Sequence, residues 1–472
     1  MRLSFELSKK GRKGYTLPEL DTPKTEIPAE YLRKNSPRLP ELGEVDVVRH
    51  FINLSNLNYN IDRNFYPLGS CTMKYNPKIN EYTSRIQGLN EIHPLQPEST
   101  VQGALQILFE LSEWLKEISG MKEVSLQPVA GAHSEFTALL VVKKYFETKG
   151  KKRTKILIPD SAHGTNPASS VIAGFTPVQI QSNAKGMIDP AELEKVMDED
   201  TACVMFTMPN TLGMFESDIS ELCEIIHRKG GLVYMDGANL NAFLGILKPA
   251  DIGVDIMHFN LHKTFSTPHG TGGPGGGGVG VVEKLKDFLP VPKVIKKDKG
   301  FALDYKFKNS IGRVHAFYGN FGVCVKAYTY IKMLGAKGLR RASENAIINA
   351  NYVLAGLKDY YDAPYPIPCM HECVLAGKHG TKTLDIAKRL MDYGMHPPTI
   401  YFPLIVHEAI MIEPTETESI DTLNDFIETL IAIAKEADTN PDLLKSAPHN
   451  TPVGRLDEVK AARDLSVNYF NS

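Results

Sequence analysis

The sequence predicts an α/β protein with a large domain built on a mostly parallel sheet and a small α+β domain at the C-terminal end. Short apolar runs alternate with amphipathic helical segments between residues 101 and 282, a pattern typical of strands that are buried on both faces of a parallel sheet. After about residue 330 the chain becomes mostly helical. Its 472 residues suffice for two or three domains with cores of their own.

Three regions are expected along the chain. Residues 1–95 are rich in prolines and turn formers and predict an extended N-terminal arm. Residues 96–330 predict the large α/β domain, and residues 331–472 predict the small domain, which ends in a polar tail.

The spacing of apolar residues predicts the elements of the two domains. Apolar residues three and four apart predict helices, and short uninterrupted apolar runs predict strands. The predicted helices are 101–119, 135–146, 220–229, 325–334, 339–360, 383–393 and 422–435. The predicted strands are 156–158, 202–206, 232–235, 256–259 and 279–282 in the large domain, and 372–376 and 409–412 in the small domain.

The composition excludes several classes of function. Lys and Arg number 53 against 55 Asp and Glu, so no overall charge attracts nucleic acid or an anionic membrane. The basic N-terminal stretch lacks the apolar core of a secretory signal, and no apolar run is long enough for a membrane span. The six cysteines are scattered, which suits reduced thiols. We therefore expect a cytoplasmic protein without nucleic-acid or membrane partners.

Two charged residues mark the strongest candidate site. Asp236 ends one predicted strand, and Lys263 follows the next strand 27 residues later. Both should lie at the carboxyl edge of the sheet, where open α/β sheets bind ligands. A pyridoxal phosphate enzyme needs such a pair, because the amine forms an imine with the cofactor aldehyde and the carboxylate keeps the pyridine nitrogen protonated. Taken alone, each residue is more often structural.

The surroundings of Lys263 strengthen this hypothesis. A glycine-dense run at 270–280 would let the backbone approach a ligand closely, although it could also be only a flexible turn. The run lacks the strand–GxxxxGK[ST]–helix pattern, which disfavours a nucleotide-binding P-loop. Hydroxyl and imidazole side chains stand beside it, namely Thr264, Ser266, Thr267, His269 and Thr271.

Two upstream segments would complete such a pocket. Residues 127–135 run into a predicted helix, so the backbone N–H groups of its first turn, from Gly131 to Ser134, could bind a phosphate. An ordinary capped helix is the alternative. His163 follows a predicted strand and could stack on a pyridine ring, although a lone histidine is more often a satisfied polar residue.

Two other motifs stay ambiguous. Cys369, His371 and Cys373 would share one face of a strand and look like metal ligands, but no second pair of ligands accompanies them, so we expect no metal. The stretch 69–74, Gly-Ser-Cys-Thr-Met-Lys, is rich in hydrogen-bond donors. It fits either the lining of a site or a turn.

Eight motifs occur in order along the chain: PLGSCTMKYNP, QPVAGAHSEF, DSAHGTNPAS, MPNTLGMFE, YMDGANLNA, NLHKTFSTPHGTGGPG, MHECV and MIEPTETES. Together they resemble the P-protein of the glycine cleavage system, in the form that is divided between two chains. The resemblance runs from near Leu17 to the tail at 451–462, and this chain keeps the half that bears the lysine.

The resemblance implies a pyridoxal phosphate enzyme of fold-type I. Lys263 would be the Schiff-base lysine, Asp236 the partner of the pyridine nitrogen and His163 the residue stacked on the ring. Ser134 departs from the glycine expected in the phosphate loop, and the glycine-rich loop after His269 also differs. The other predicted cofactor-binding residues are Gly131, Ala132, His133, Ser134, Thr165 and Ala238.

The implied reaction is the decarboxylation of glycine, with transfer of the aminomethyl group to the lipoamide of the H-protein and release of carbon dioxide. Lys263 would carry the proton, with His262 and His371 as weaker candidates. The implied partners are subunit 1 of the P-protein, with two copies of each chain, and the lipoylated H-protein, whose arm needs an open channel. Two alternatives are another enzyme of this fold, such as an aminotransferase or amino-acid decarboxylase, and a non-catalytic assembly subunit, against which Lys263 argues.

Overall fold

The computed structural model describes residues 2–267, 273–365, 368–378 and 380–471. The predicted site residues His269 and Thr271 lie outside this part of the chain. Contacts divide the chain into two units, one ending at Arg63 and one beginning at Asn64. The three regions expected from the sequence stay a prediction.

The unit that ends at Arg63 contains helical structure where the sequence predicts an extended arm. Its elements are α1 (Ser4–Leu7), a short 3-10 turn (Ala29–Tyr31) and α2 (Glu44–Ser55). Glu44 and Asp46 lie in the first turn of α2, where negative charge stabilises a helix N-terminus. Most of the other residues of this unit are exposed.

The helices of the second unit confirm those predicted from apolar spacing. Predicted helices 325–334 and 339–360 are one element, α11, whose backbone breaks at Gly335 with φ +61°. Short 3-10 helices lie at Glu98–Thr100, Gly237–Ala242, Pro249–Ile252, Glu283–Phe288 and Tyr469–Asn471. The α-helices are α3 (Lys78–Ser84), α4 (Gln87–Asn90), α5 (Gln102–Ser119), α6 (Gly131–Thr148), α7 (Thr165–Ile172), α8 (Pro190–Val196), α9 (Ile219–Arg228), α10 (Leu261–Thr264), α11 (Phe321–Leu357), α12 (Thr383–Asp392), α13 (Ile420–Thr439), α14 (Pro441–Ser446) and α15 (Glu458–Arg463).

A seven-stranded sheet organises the N-terminal part of this unit. Its strands are β1 (Glu123–Ser125), β2 (Lys155–Pro159), β3 (Thr176–Ile180), β4 (Thr201–Thr207), β5 (Leu232–Asp236), β6 (Ile256–Asn260) and β7 (Gly277–Val281), in the spatial order β1-β7-β6-β5-β4-β2-β3. All five predicted strands are confirmed. The edge strands β1 and β3 were not predicted, and β7 runs antiparallel to both of its neighbours in the otherwise mostly parallel sheet.

The three central strands are buried along their whole length and carry the core. Every residue of β4, β5 and β6 is buried. Alternate side chains of β4 enter different apolar clusters, with Val204 in the cluster that includes α5 and α9 and Cys203 in the cluster that includes α6. Burial on both faces explains the continuous apolar runs in the sequence. Thr207 pairs with Asp236 where β4 and β5 end, so their polar side chains share one edge of the sheet.

A smaller antiparallel sheet lies in the C-terminal part. After the hairpin formed by β8 (Lys293–Lys297) and β9 (Gly300–Asp304), the strands β10 (Cys373–Ala376), β11 (Thr399–Ile400) and β12 (Ala409–Ile412) pair in the order β10-β12-β11. Both strands predicted here are confirmed. An isolated bridge from Leu68 to Ile412 extends β12 toward the segment after Arg63. None of the helices in the described ranges combines the length and apolar character of a membrane span.

Candidate active site

A cavity of about 420 Å³ opens at the carboxyl edge of the large sheet. Its walls are the ends of β4, β5 and β6, the first turn of α6, the helix α10 and a loop from the segment after Arg63. The lining residues are Ser70, Ala130, Gly131, Ala132, Glu135, His163, Thr165, Thr207, Thr211, Asp236, Ala238, His258, Asn260, His262, Lys263, Gly273 and Gly275. The cavity therefore brings together Asp236 and Lys263, as expected of neighbouring strand ends.

Asp236 is a buried carboxylate with a full set of donors. Its Oδ2 accepts a hydrogen bond from Asn166 Nδ2 at 3.0 Å, and its Oδ1 accepts one from the Ala238 backbone N–H at 2.8 Å. Burial alone would raise the pKa of Asp236, but His258, these two donors and Lys263 together hold it below its ordinary value. Asp236 is therefore negatively charged at neutral pH, although it is only 2% exposed.

His258 supports Asp236 from the neighbouring strand and was not predicted from the sequence. Its Nε2 lies 3.3 Å from Asp236 Oδ1, and its Nδ1 lies 2.8 Å from the Tyr234 hydroxyl. Burial lowers the pKa of His258, so the ring is neutral. With the Tyr234 hydroxyl donating to Nδ1, the hydrogen on Nε2 points to Asp236.

Glu135 is a second buried carboxyl group in the cavity wall. It lies in the first part of α6, and its Oε2 accepts a hydrogen bond from Asn166 Nδ2 at 3.2 Å. Burial and the nearby charge of Asp236 raise the pKa of Glu135 to about 8. Glu135 was not predicted from the sequence, because a glutamate early in an amphipathic helix is typical of a solvated or capping residue.

Lys263 presents its amine to the cavity from α10, which begins directly after β6. Its Nζ donates a 2.6 Å hydrogen bond to the backbone carbonyl of Ser70, and its side chain is half-buried. Ser70, from the Gly-Ser-Cys-Thr stretch, has a φ of +63°. The structure therefore places Ser70, from that stretch, in the lining of the cavity.

The first turn of α6 contributes mainly backbone atoms, and few side chains, to the cavity wall. A Cβ on Gly131 would lie 2.5 Å from Asn260 Oδ1, so the close packing of helix and strand requires glycine. Gly131 and Ala132 line the cavity, whereas the side chains of His133 and Ser134 do not. Ser134 Oγ instead donates to the Ala130 carbonyl at 2.8 Å, and His133 Nδ1 lies 3.3 Å from the Val129 nitrogen. Both side chains are therefore engaged with the preceding turn.

His163 lines the cavity in a fixed orientation. Its Nδ1 lies 3.2 Å from the backbone nitrogen of Thr165 and 2.7 Å from the Thr165 hydroxyl. The Phe402 ring meets the imidazole edge to face, with the centroids 5.7 Å apart. Thr165 and Ala238, two other predicted cofactor-binding residues, line the same cavity.

The two weaker proton-carrier candidates differ in position. His262 lines the cavity, with its Nδ1 3.2 Å from the Gly276 nitrogen. His371 is fully buried outside the lining, 3.7 Å from Glu372 by its Nε2. Burial lowers the pKa of His371 to about 3, so this ring is neutral.

Two buried clusters bring three metal-type ligand atoms within 4.8 Å in the described part of the chain. One is formed by Glu135, Asp236 and His258, and the other by His371, Glu372 and Glu413. In the first cluster Asp236 already faces His258 and two other donors. Cys369 and Cys373 belong to neither group.

The cavity fits a planar anionic cofactor. It offers an amine, a buried carboxylate and the N-terminus of the 18-residue helix α6, which favours negative charge. The Thr207 hydroxyl, at the end of β4, is buried without a hydrogen-bond partner among the described residues. A bound polar group would satisfy it.

Comparison with known proteins identifies the family. The family described as glycine cleavage system P-protein matches residues 16–299, and the family described as glycine dehydrogenase, C-terminal domain, matches residues 342–450. The "probable glycine dehydrogenase (decarboxylating) subunit 2" of Chloroherpeton thalassium is 58% identical over 479 residues, covering 99% of this chain and 97% of that relative. The protein of the same name from Caldanaerobacter subterraneus subsp. tengcongensis is 59% identical over 476 residues, covering 99% and 98%.

Solved structures share the fold. A glycine decarboxylase (P-protein) in inhibitor-bound form has a TM-score of 0.74 at 21% identity, covering 86% of this chain and 93% of that one. The cysteine desulfurase of Thermococcus onnurineus has a TM-score of 0.63 at 16% identity, covering 81% and 98%. The glutamate decarboxylase of Lactobacillus brevis has a TM-score of 0.65 at 14% identity, covering 90% and 96%. At these identities the likeness concerns the fold alone.

These matches confirm the predicted family, fold class, enzyme class and cofactor. The subunit 2 relatives align along almost the whole chain. The chain therefore belongs to the P-protein family of the glycine cleavage system, in its glycine dehydrogenase (decarboxylating) subunit 2 branch, whose members are pyridoxal phosphate-dependent enzymes that decarboxylate glycine.

Proposed function

We propose that Lys263 is the Schiff-base lysine and that Asp236 is the partner of the pyridine nitrogen. The observation that carries the proposal is that both side chains line one cavity, with Asp236 held in its charged form by Asn166, Ala238 and His258. A fixed negative charge there favours a protonated pyridine ring. Pyridoxal phosphate supplies an aldehyde for the amine and a ring that accepts electrons when carbon dioxide leaves.

The remaining cavity residues receive binding roles in the same proposal. The backbone at Gly131 and Ala132 borders the phosphate, because it opens α6 toward the cavity. His163 stacks on the ring, and the hydrogen bonds to Thr165 hold its imidazole in place. Ala238 lines the cavity beside Asp236 and would contact the cofactor there. The phosphate role of His133 is limited to its backbone N–H group, and the Ser134 N–H has none, because it already donates to the Ala130 carbonyl at 2.9 Å.

Lys263 is also the proposed proton carrier. Its amine reaches the cavity and can accept or return a proton near the substrate carbon. His262 lines the cavity as a second candidate, whereas His371 is fully buried beside Glu372 and does not line the cavity. Lys263 is therefore the first candidate for the proton carrier, and His262 is the second.

The proposed partners are subunit 1, with two copies of each chain, and the lipoylated H-protein, which receives the aminomethyl group. The subunit 2 name of the relatives supports a subunit 1. Ala132 and His163 are exposed at the cavity, which supports entry of a lipoyl arm carried by another protein. We also propose a cytoplasmic location, supported by six cysteines scattered along the chain, a usage that suits reduced thiols.

The test is the exchange of labelled bicarbonate into glycine. Wild-type chain with subunit 1, pyridoxal phosphate and lipoylated H-protein should catalyse it. The Lys263→Ala variant should lose at least about a thousandfold in rate, because the covalent link and the proton carrier are both removed. Omitting the H-protein is the matched control for the lipoyl acceptor. Full exchange by the Lys263→Ala variant would contradict the proposal, and amino-group transfer to a keto acid without H-protein would favour an aminotransferase.

A further inference from the structure

A loop from the segment after Arg63 is fixed across the front of Lys263 by the small sheet. The Gly69 backbone N–H donates to the Met411 carbonyl at 3.2 Å, and the Thr399 hydroxyl donates to the Gly69 carbonyl at 2.7 Å. A Cβ on Gly69 would clash with Met411. The loop is therefore packed directly on β12, and its next residue, Ser70, has little freedom to move.

The backbone of Ser70 forms hydrogen bonds with two side chains, those of Lys263 and Glu372. Its carbonyl accepts the 2.6 Å hydrogen bond from Lys263 Nζ, and its N–H donates to Glu372 Oε2 at 2.8 Å. Its φ of +63° is a left-handed conformation that costs free energy in a residue other than glycine. Such a conformation persists only where surrounding contacts enforce it, and Glu372 is the side chain that holds the N–H.

Glu372 is fully buried and is itself fixed by its neighbours. Its Oε1 lies 3.4 Å from Asn239 Nδ2 and 3.7 Å from His371 Nε2. Glu413, which accepts a 2.5 Å hydrogen bond from the Thr72 hydroxyl, belongs to the same buried cluster. Glu372 therefore links the start of β10 to the residues that follow Asp236 and to the loop in front of Lys263.

We propose that Glu372 is a positioning residue for Lys263 and acts through the backbone of Ser70. The inference rests on the proposed role of Lys263 as the Schiff-base lysine. An amine that leaves the cofactor during each turnover and rejoins it must stay within reach and point in one direction. The Ser70 carbonyl accepts a hydrogen bond from that amine when it is free of the cofactor. Glu372 fixes the carbonyl, because it accepts a hydrogen bond from the N–H of the same residue.

The test measures how fast the lysine links to the cofactor. The full chain in complex with subunit 1 is freed of cofactor and mixed with pyridoxal phosphate. At set times the link is reduced with borohydride and quantified on the Lys263 peptide by mass spectrometry. Glu372→Ala should slow the link by about tenfold, because the Ser70 N–H loses its buried acceptor oxygen and the carbonyl is no longer fixed. Glu372→Gln, which keeps an acceptor oxygen, should stay within about threefold of wild type.

Glu216→Ala is the matched control. Glu216 is also buried and accepts a backbone N–H, that of Ile188 at 3.1 Å, but Ile188, unlike Ser70, does not line the cavity. Its variant should link at the wild-type rate. The proposal is overturned if Glu372→Ala links as fast as wild type, if Glu372→Gln is as slow as Glu372→Ala, or if Glu216→Ala is equally slow. Labelling of a lysine other than Lys263 in the wild type would instead overturn the proposed function.

Discussion

Asn166 donates hydrogen bonds to two buried carboxyl groups, Asp236 and Glu135, that differ in charge. Its Nδ2 donates to Asp236 Oδ2 at 3.0 Å and to Glu135 Oε2 at 3.2 Å. Two adjacent negative charges repel each other, so one carboxyl group favours its neutral form. Asp236 has the additional support of His258 and the Ala238 N–H, which lower its pKa, and Glu135 lacks both. Asp236 therefore carries the charge and Glu135 keeps the proton.

This division predicts how pH acts on the Glu135→Gln variant. The pKa of Glu135 is raised by burial and by Asp236 from its ordinary 4.5 to about 8. Between these values the unfolded chain releases a proton that the folded chain retains, so wild-type stability falls as pH rises and levels off above pH 8. Glutamine removes this loss. The variant should gain stability over wild type across that range, by on the order of 3 kcal/mol at pH 9.

Urea unfolding of both proteins at pH 5, 7 and 9 measures this difference. Glu221→Gln, on the exposed face of α9, is the control and should show no comparable trend. A difference between Glu135→Gln and wild type that stays constant from pH 5 to 9 would contradict a protonated Glu135.

The sequence could reveal some of the site and not the rest. Asp236 and Lys263 were predictable, because strand ends in a parallel sheet meet at one edge whatever the detailed packing. Glu135 and His258 were missed, because their importance depends on which face of α6 meets β6. Ser70 was found only as an ambiguous motif, since no periodicity shows that its loop returns to Lys263.

The 37-residue helix α11 joins two hydrophobic cores and breaks between them. Val323 and Ile331 belong to the core of the large sheet, whereas Val353 and Leu357 belong to the core of the small one. Gly335 stands between the two halves with φ +61° and ψ −177°. These angles are accessible essentially to glycine alone, so the break follows from the residue.

Replacing Gly335 with alanine should therefore destabilise the protein. A Cβ there would meet no atom within 4 Å, so the cost comes from the backbone angles and not from a clash. We expect a loss of about 1–3 kcal/mol in the free energy of unfolding. Urea unfolding measures it, and Gly322→Ala in the first turn of the same helix is the control. Gly322 is exposed, and its Cβ would also meet no atom within 4 Å, so that variant should be neutral or slightly more stable. Equal stabilities of the two variants would contradict this account.

The strands show which elements a sequence specifies. The runs that became β4, β5 and β6 are buried on both faces, so their apolar character is continuous and their prediction was secure. β3 was missed because it is an edge strand that contains a proline and an exposed threonine. The direction of β7 could not be read from its residues, because a glycine-rich buried strand looks the same in either orientation.

One buried ion pair joins distant parts of the unit that begins at Asn64. Lys74 Nζ lies 2.8 Å from Glu416 Oε1, 2.8 Å from Asn241 Oδ1 and 2.9 Å from the Tyr330 hydroxyl. Lys74 lies in the segment after Arg63, Asn241 follows β5, Glu416 follows β12, and Tyr330 lies in α11. Burial alone would lower the pKa of Lys74, but Glu416 and Tyr330 raise it above its ordinary value. The lysine is therefore charged and fully paired.

Lys74→Met should weaken this unit as a whole, because it leaves the Glu416 charge buried without its partner. We expect a loss of about 3–5 kcal/mol in the free energy of unfolding, and a smaller loss in the double variant Lys74→Met/Glu416→Gln, in which neither charge remains. Urea unfolding should be followed by circular dichroism, which reports both sheets, and by the fluorescence of the single tryptophan, Trp114 in α5.

The two signals should move together to lower urea in the Lys74→Met variant, because the pair connects both sheets. Lys445→Met is the control, since Lys445 and Asp442 form an exposed pair on α14 and such pairs contribute little. The charges would act independently if the double variant lost as much stability as the single variants Lys74→Met and Glu416→Gln lose together. A shift of the circular dichroism signal without a shift of the Trp114 signal would show that Lys74 stabilises the small sheet alone, and that the two sheets unfold separately.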